Sequence, residues 1–471
     1  MNYRKVDTNI LEKLKKICGE KDVIYEDKEK LESYACDESG KLFCKIPEVV
    51  VKPENTEEVS QVMALANEYL IPVTPRGAGS GLAGASIPIC GGIVLSMEKM
   101  NKIIEIDRIN RVAVVEPGVI TNDLCKKVEE EGLYYAGYPM SVGLSTIGGN
   151  VATNAGGSKV IRYGNTRKHV LGAEVVLPTG EILMLGGKRR KETWGYDLLD
   201  LLIGSEGTLC IFTKLILNLI PLPKKTVDLL TPFKSIEDVI EAIKEIFLEA
   251  KNIPTAIEFI DKRSIDIASR YLNLSLPLQD KAQAFLIIQI EGSSNKELED
   301  AYEKVGKACL KNGALDVFVA DNRANSEKIW RIRKEITESL KNKDPYVSLS
   351  GDMVVPVSEI PKMLRKIKEI EKKYGIETAT IGHIGDGNLH PALFKPFNIS
   401  PEEWITLSEK IIEELIEEAV KLGGAGSGEH GVGFLKKKAF LKTKTPKEIE
   451  LMRGIKKLFD PNMILNPEKV I

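Results

Sequence analysis

Three of the four histidines in this 471-residue chain fall in two short motifs. The first is Gly382-His383-Ile384-Gly385-Asp386-Gly387-Asn388-Leu389-His390, and the second is Gly428-Glu429-His430-Gly431. Imidazole is a common metal ligand and a common general base near neutral pH. His383, His390 and Glu429 would together make a two-histidine, one-carboxylate face with open positions for a substrate. The plain alternative is a pair of hairpin histidines bonded to backbone beside glycine-rich loops.

Bringing the histidines together requires a hairpin. Thr378 to Ile384 reads as a strand, with β-branched residues at Thr378, Thr380 and Ile381, and Leu389 to Phe394 reads as its return. Between them Asp386-Gly387 signals a two-residue turn, because such turns need positive φ at both central residues. In that register His383 faces His390, with Cβ atoms roughly 4.5–5.5 Å apart.

Four segments frame the motifs. Residues 1–45 read as charged and helical. Residues 46–222 alternate strand and helix: Glu48-Val49-Val50-Val51 is a strand, a helix capped at Asn55 or Thr56 runs to Tyr69, and Ile71-Pro72-Val73-Thr74 is the next strand. After Pro221-Leu222-Pro223 the glycines thin out. Residues 223–424 then read as an α+β domain on an antiparallel sheet, with helices over Ile236 to Ala250 and Lys296 to Leu310 and strands over Thr255 to Phe259 and Ala284 to Ile290. Residues 425–471 form a small C-terminal helical segment.

A 43% hydrophobic content supports real cores, and a net charge of −2 gives no general attraction to nucleic acid. Lys188-Arg189-Arg190-Lys191 is a short basic run that reads as a solvated loop. No apolar stretch approaches the roughly 18–20 residues of a membrane span, and no signal-peptide core is evident, so a cytoplasmic protein is expected. The seven cysteines, at 18, 36, 44, 90, 125, 210 and 309, form no CxxC pair. They are expected to be reduced thiols, and any iron–sulfur centre is expected on another subunit.

Three glycine-rich stretches remain. Gly79-Ser80-Gly81-Leu82-Ala83-Gly84 has the GxGxxG spelling, but the dinucleotide fingerprint needs a helix next. Here Pro88 and a β-branched run follow, so the nicotinamide reading is rejected. Consecutive backbone N–H groups in such a loop still make an anion nest, with Arg76 adding charge. The others are Thr146 to Gly157, followed by Arg162-Tyr163-Gly164, and Gly204 to Leu209. Any one of them could be turn chemistry alone.

Taken in order, PRGAGSGL, TIGGNVATNAGG, RYG, GSEGTL, GHIGDGNLH, GEHGVG and LNPEK resemble the motifs of a flavoprotein family. From about residue 46 to the C-terminus the chain is similar to the FAD-linked D-2-hydroxy-acid dehydrogenases. These have a PCMH-type FAD-binding domain and an antiparallel-sheet substrate domain, and they act on D-lactate, glycolate or D-2-hydroxyglutarate. The resemblance implies that Pro75, Arg76, Gly77, Ala78, Gly79, Ser80, Gly81 and Leu82 cradle the FAD pyrophosphate. It implies that Pro139, Ser145, Thr146, Gly148, Gly149, Asn150, Ala152, Thr153, Asn154, Gly156, Gly157, Gly164, Glu206, Gly207, Ile211 and Asn466 line the flavin. Ser80 stands where relatives with covalent FAD carry histidine, which implies noncovalent FAD.

The resemblance further implies that His383, His390 and Glu429 hold one divalent ion (zinc, iron or manganese) and that His430 is the base. Arg333 would hold the substrate carboxylate, with Thr337 one helical turn away on the same face. Taken alone, Arg333 reads as a surface helix charge. The expected chemistry removes the hydroxyl proton, passes the α-hydrogen as hydride to flavin N5, and hands electrons to an electron-transfer flavoprotein or iron–sulfur subunit. A homodimer is compatible with the family. The chain departs from it at Ala136-Gly137-Tyr138-Pro139-Met140, where many relatives carry a Pro-Pro-Asp-Pro-like stretch. After His390 the apolar Pro391-Ala392-Leu393-Phe394 is a poor host for a second carboxylate, which favours a small monocarboxylate over 2-hydroxyglutarate. Two rival classes are a flavin scaffold without substrate chemistry and a metal-dependent hydrolase. The first would not need the four motif residues, and the second would leave the glycine loops unexplained.

Overall fold

The computed structural model describes residues 3–40, 43–249, 253–320 and 322–471, so Met1, Asn2 and the expected helix end at Ala250 lie outside the described residues. Two compact units are present. One comprises Met1–Gly156, Asn165–Leu222 and Glu429–Ile471, and the other Gly157–Gly164 and Pro223–Gly428.

The first unit holds a sheet of Val23–Ile24 (β1), Val49–Val51 (β2), Val73–Arg76 (β3) and Ile93–Ser96 (β4), ordered β1-β2-β4-β3. Strands β2, β4 and β3 are parallel. The unbroken valine run of β2 suits a strand covered on both faces. Val49 and Val51 pack with Val59, Val62, Met63 and Ala66 of the helix Thr56–Tyr69 (α1), while Val50 packs with Leu31 and Val94. Asn55 caps α1 by accepting from Glu58 N, and Glu57 and Glu58 in its first turn suit the helix dipole. The free edge of β3 is covered by the C-terminal segment: Val73 N donates to Ile464 O at 2.8 Å, and Asn466 N to Val73 O at 2.7 Å.

A second, antiparallel sheet of Ile103–Asp107 (β5), Val112–Val115 (β6), Val170–Val176 (β7), Ile182–Gly186 (β8) and Ile211–Asn218 (β9) runs β5-β6-β9-β7-β8. Its core includes Ile147 and Val151 of the short helix Ile147–Thr153 (α2).

The second unit is built on a seven-stranded sheet. Its strands are Lys225–Phe233 (β10), Ala256–Asp261 (β11), Ala284–Gly292 (β12), Phe318–Ala320 (β13), Met353–Val354 (β14), Thr378–His383 (β15) and Asn388–Leu393 (β16). The order is β13-β10-β12-β11-β15-β16-β14, and every pairing is antiparallel. The helices Ile236–Glu249 (α3) and Asn295–Lys311 (α4) contact β10 and β12. On one face Ile260, Phe285, Ile287 and Ile381 pack with Ile329, Ile332 and Ile336 of the helix Arg323–Lys343 (α5). Both units are α+β.

One expectation is corrected. Cys36 and Cys44 form a disulfide, with Cα atoms 4.5 Å apart, where reduced thiols were expected. Lys45 N donates to Ala35 O at 3.0 Å and sets Cys36 and Cys44 side by side, a local geometry that a search for CxxC spacing overlooks. Cys18, Cys125, Cys210 and Cys309 are buried thiols. Among the described residues no helix is long and apolar enough to cross a membrane.

Candidate active site

In the second unit the expected hairpin forms between β15 and β16, with a longer turn. Ile384–Asp386 make one turn of 3-10 helix and Gly387 follows at φ 87°. The ladder therefore pairs His383 with Asn388 and Ile381 with His390, instead of His383 with His390. A shift of two residues keeps both histidines on one face, because side chains alternate with period two. Their rings meet edge to face, with centroids 5.3 Å apart.

Glu258 and Asp352 are the residues that sequence reasoning missed. Glu258 lies on β11 on the same face as Ile260. The pairing of Phe259 with Gly382 and Ile260 with Ile381 brings it to His383. Its carboxylate is wholly buried. Oε1 lies 2.6 Å from His383 Nδ1, and Oε2 accepts from Arg333 Nε at 2.7 Å. Burial pushes this carboxyl upward, but the His383 ring and the Arg333 guanidinium outweigh it and hold Glu258 below its ordinary range. An ionised carboxylate only accepts, so His383 donates through Nδ1 and Nε2 is the ring nitrogen that can face an ion. Arg333 is thus a buried, paired group on α5, 5% exposed, and Thr337 is partly buried one turn later.

Asp352 serves the other histidine. It is wholly buried, with Oδ1 3.7 Å from His390 Nδ1 and accepting from Asn388 Nδ2 at 3.0 Å. Its Oδ2 accepts from Ser427 Oγ at 2.6 Å, and its backbone O from Gly428 N at 3.2 Å. Two imidazoles on one face, one of them oriented by a carboxylate at Nδ1, are the donor chemistry that a divalent transition ion takes. The residues present fit such an ion.

Glu429 and His430 open the last segment of the first unit. Adjacent residues of an extended segment point apart, but here Glu429 Oε1 lies 3.6 Å from His430 Nε2. The segment is bent, with Gly431 at φ 80°. The bend is held by Glu206, which accepts from Val432 N and Gly433 N at 2.7 Å each. Burial pushes the Glu206 carboxyl up, and those two N–H groups oppose the shift. A Cβ on Gly431 would crowd the Glu206 carboxyl. The Glu206 side chain is therefore engaged in holding the His430 loop.

The glycine loops converge within the same unit. Strand β3 delivers Pro75 and a buried Arg76 into the loop Gly77 to Leu82. Gly77 backs onto the Thr146 side chain, and Gly79, at φ 72°, backs onto the Arg76 guanidinium. Thr146 caps α2 by accepting from Gly149 N, and Gly148 N donates to Pro117 O. Ser145 O accepts from Thr121, whose hydroxyl also takes Asn150 Nδ2 at 2.8 Å. Ala152 O accepts from Glu206 N, Thr153 Oγ1 donates to Gly149 O, and Asn154 Oδ1 accepts from Arg167 N. A cavity of about 430 Å³ opens beside Arg76, Gly77, Ala78, Gly118 and Thr146. Polar lining, backbone N–H groups and one buried guanidinium fit a phosphate-bearing cofactor such as FAD.

The other expected flavin residues occupy several settings. Ile211 is in the apolar core with Val73 and Ile93. Asn466 donates through Nδ2 to Glu206 O and Ala85 O and accepts from Lys469. Gly207, at φ 65°, backs onto Pro75, while Ser80, Gly81 and Pro139 are partly buried and Gly156 is buried. Gly157 and Gly164 bound the short segment of the second unit, where Lys159 and Tyr163 bond Glu291.

Comparison with known proteins agrees with this picture. Residues 222–470 match the family model "FAD linked oxidases, C-terminal domain", and residues 47–186 match "FAD binding domain". The chain is 37% identical over 473 residues to a D-lactate dehydrogenase of Anaerostipes hadrus, covering 99% of this chain and 98% of that protein. It is 39% identical over 429 residues to the glycolate oxidase subunit GlcD of Bacillus subtilis, covering 91% and 90%. A D-2-hydroxyglutarate dehydrogenase of Stutzerimonas stutzeri is 33% identical, with 98% and 99% covered. Among solved structures, p-cresol methylhydroxylase with substrate bound superposes with a TM-score of 0.80 at 19% identity, covering 98% of this chain and 96% of that one. The 4-ethylphenol oxidase of Gulosibacter chungangensis gives 0.79 at 19%, covering 100% and 98%. The fold is thus of the PCMH type.

Proposed function

The chain belongs to the FAD-linked oxidases, among the FAD-linked dehydrogenases of D-2-hydroxy acids, and from that premise we propose that it oxidises a small D-2-hydroxy monocarboxylate to the 2-oxo acid. D-lactate is the first choice and glycolate the second, with electrons handed to a separate protein such as an electron-transfer flavoprotein. The observation that carries this reading is the buried Arg333–Glu258–His383 array, which sets a cation for a carboxylate beside a metal-type imidazole.

Bound FAD supplies a two-electron acceptor, and a divalent ion on His383 and His390 supplies polarisation of the hydroxyl. Glu429 joins them as third ligand. It follows Gly428 directly in the chain, and Gly428 and Ser427 bond Asp352, the carboxylate beside His390. Among the described residues Arg333 bonds Glu258 through Nε, which leaves its two Nη groups for a bidentate hold on the substrate carboxylate. Thr337 borders that hold. His430 takes the hydroxyl proton. After His390, Ala392 and Phe394 are packed in the core and Leu393 is wholly buried, which argues against a second carboxylate there.

FAD is noncovalent, since Ser80 offers no imidazole to attach it. Replacing Gly79 with Ala forces a left-handed φ on a side chain, at about 1–2 kcal/mol, and drives a Cβ into Arg76. FAD retained per chain after gel filtration then falls about tenfold or more. The reading as a whole is tested by the visible spectrum of the purified protein. Flavin bands bleached without oxygen by D-lactate, and not by D-2-hydroxyglutarate, support it. A flavin that no hydroxy acid reduces favours the scaffold reading, and absence of flavin favours a hydrolase.

A further inference from the structure

We propose that Glu258 is a positioning residue that fixes the spacing between the metal-binding imidazole and the substrate arginine, and thereby selects acids whose hydroxyl lies on the carbon next to the carboxylate. The inference rests on the functional reading above and names what makes that site selective. Glu258 is wholly buried on an inner strand of the seven-stranded sheet. One carboxylate serves two functional side chains: Oε1 holds His383 Nδ1 at 2.6 Å, and Oε2 holds Arg333 Nε at 2.7 Å.

Each bond orients its partner. Holding Nδ1–H turns His383 Nε2 toward an ion, as carboxylates do behind metal-bound histidines. Holding Nε–H fixes the plane of the guanidinium and points its Nη edge outward. Because both oxygens belong to one rigid group, neither the imidazole nor the guanidinium moves without breaking a buried charge-assisted bond. The distance from ion to guanidinium is therefore set by the protein. A substrate must span it with a hydroxyl at one end and a carboxylate at the other, and a hydroxyl one carbon farther away misses one of the two. The bland role, mere compensation of a buried arginine charge, needs only one of the two bonds.

The test uses FAD-loaded enzyme stripped of metal with a chelator. Glu258→Gln accepts through one oxygen only, so one of the two bonds is lost. Mn²⁺ affinity measured by calorimetry then falls about 10–100-fold. At saturating Mn²⁺, the ratio of kcat/KM for D-lactate over D-3-hydroxybutyrate narrows by about tenfold or more. Glu258→Asp keeps the charge and withdraws it by one methylene. It gives the same two changes and guards against failure of the glutamine variant to fold. Unchanged Mn²⁺ affinity and unchanged ratio in both variants overturn the proposal. Weakened Mn²⁺ with an unchanged ratio also overturns it, leaving Glu258 as support for one ligand. If the wild type neither binds Mn²⁺ nor oxidises D-lactate, the functional reading itself has failed, which is a separate result.

Discussion

Replacing His430 with Asn slows reduction of bound FAD by D-lactate about 10²–10⁴-fold, the range that a positioned general base contributes. FAD stays bound, because the loop that carries His430 does not depend on the imidazole for its shape. The bend is held by Glu206 through Val432 N and Gly433 N, and by the positive φ of Gly431. Asparagine fills similar space next to Glu429 but takes no proton at neutral pH. Anaerobic stopped-flow absorbance reads the step directly, without an electron acceptor. Wild-type reduction rates in this variant would remove His430 from the chemistry, whatever happened to steady-state turnover.

Replacing His383 with Ala removes stoichiometric metal and, with it, turnover. His390 with Glu429 but without the second imidazole is a poor site for a divalent ion, and Glu258 loses His383, one of the two partners it holds. The second loss has its own signature: a buried carboxylate oxygen without its donor destabilises by about 1–3 kcal/mol, read as a lower urea midpoint. Flavin content should not change, since the glycine loops that meet around Thr146 belong to the other unit. Elemental analysis of wild type and variant decides the matter. A wild type that carries no transition metal sinks the ligand assignment outright.

Much of this site was legible, and the parts that were not have physical reasons. The reversal at Asp386-Gly387 was readable because the Asp-Gly pair signals a turn, and Gly387 takes the left-handed φ of 87° that the turn needs. The register was not, because a 3-10 turn consumed Ile384 and Gly385, and turn length rests on packing that no local pattern encodes. The two histidines nonetheless share a face, since the error was an even number of residues. Glu258 was out of reach for a different reason: its partners lie 75 and 125 residues away in the chain. One signal was present. A strand reading Ala256-Ile257-Glu258-Phe259-Ile260, with both sets of alternating residues apolar, has no solvent face for a glutamate, so a charge there needs a buried partner. Arg333 fits the same argument: of the three neighbouring basic residues Arg331, Arg333 and Lys334 on α5, it is the one on the helix face of Ile329, Ile336 and Leu340. Glu206 and Asn466 were assigned to the flavin from motif position, and that position gave no hint that their side chains also bond neighbouring loops. The Cys36–Cys44 bridge joins residues 8 apart, a separation that no CxxC pattern signals.

The way the first unit is threaded has a consequence for how the protein is made. Its sheet edge at β3 is closed by Ile464 and Asn466, and Tyr3 donates to Met463 O at 2.7 Å, so segments some 460 residues apart meet in one core. Contacts this distant in sequence form late, after a large loop-closure entropy has been met. On the ribosome, the strands of residues 23–218 emerge long before the segment that seals them. The second unit, nearly all of it between Pro223 and Gly428, has its residues together before then. Synthesis therefore runs against the order of the domains: the substrate half can mature first, and the half that carries the glycine loops waits for the segment around Ile464 and Asn466.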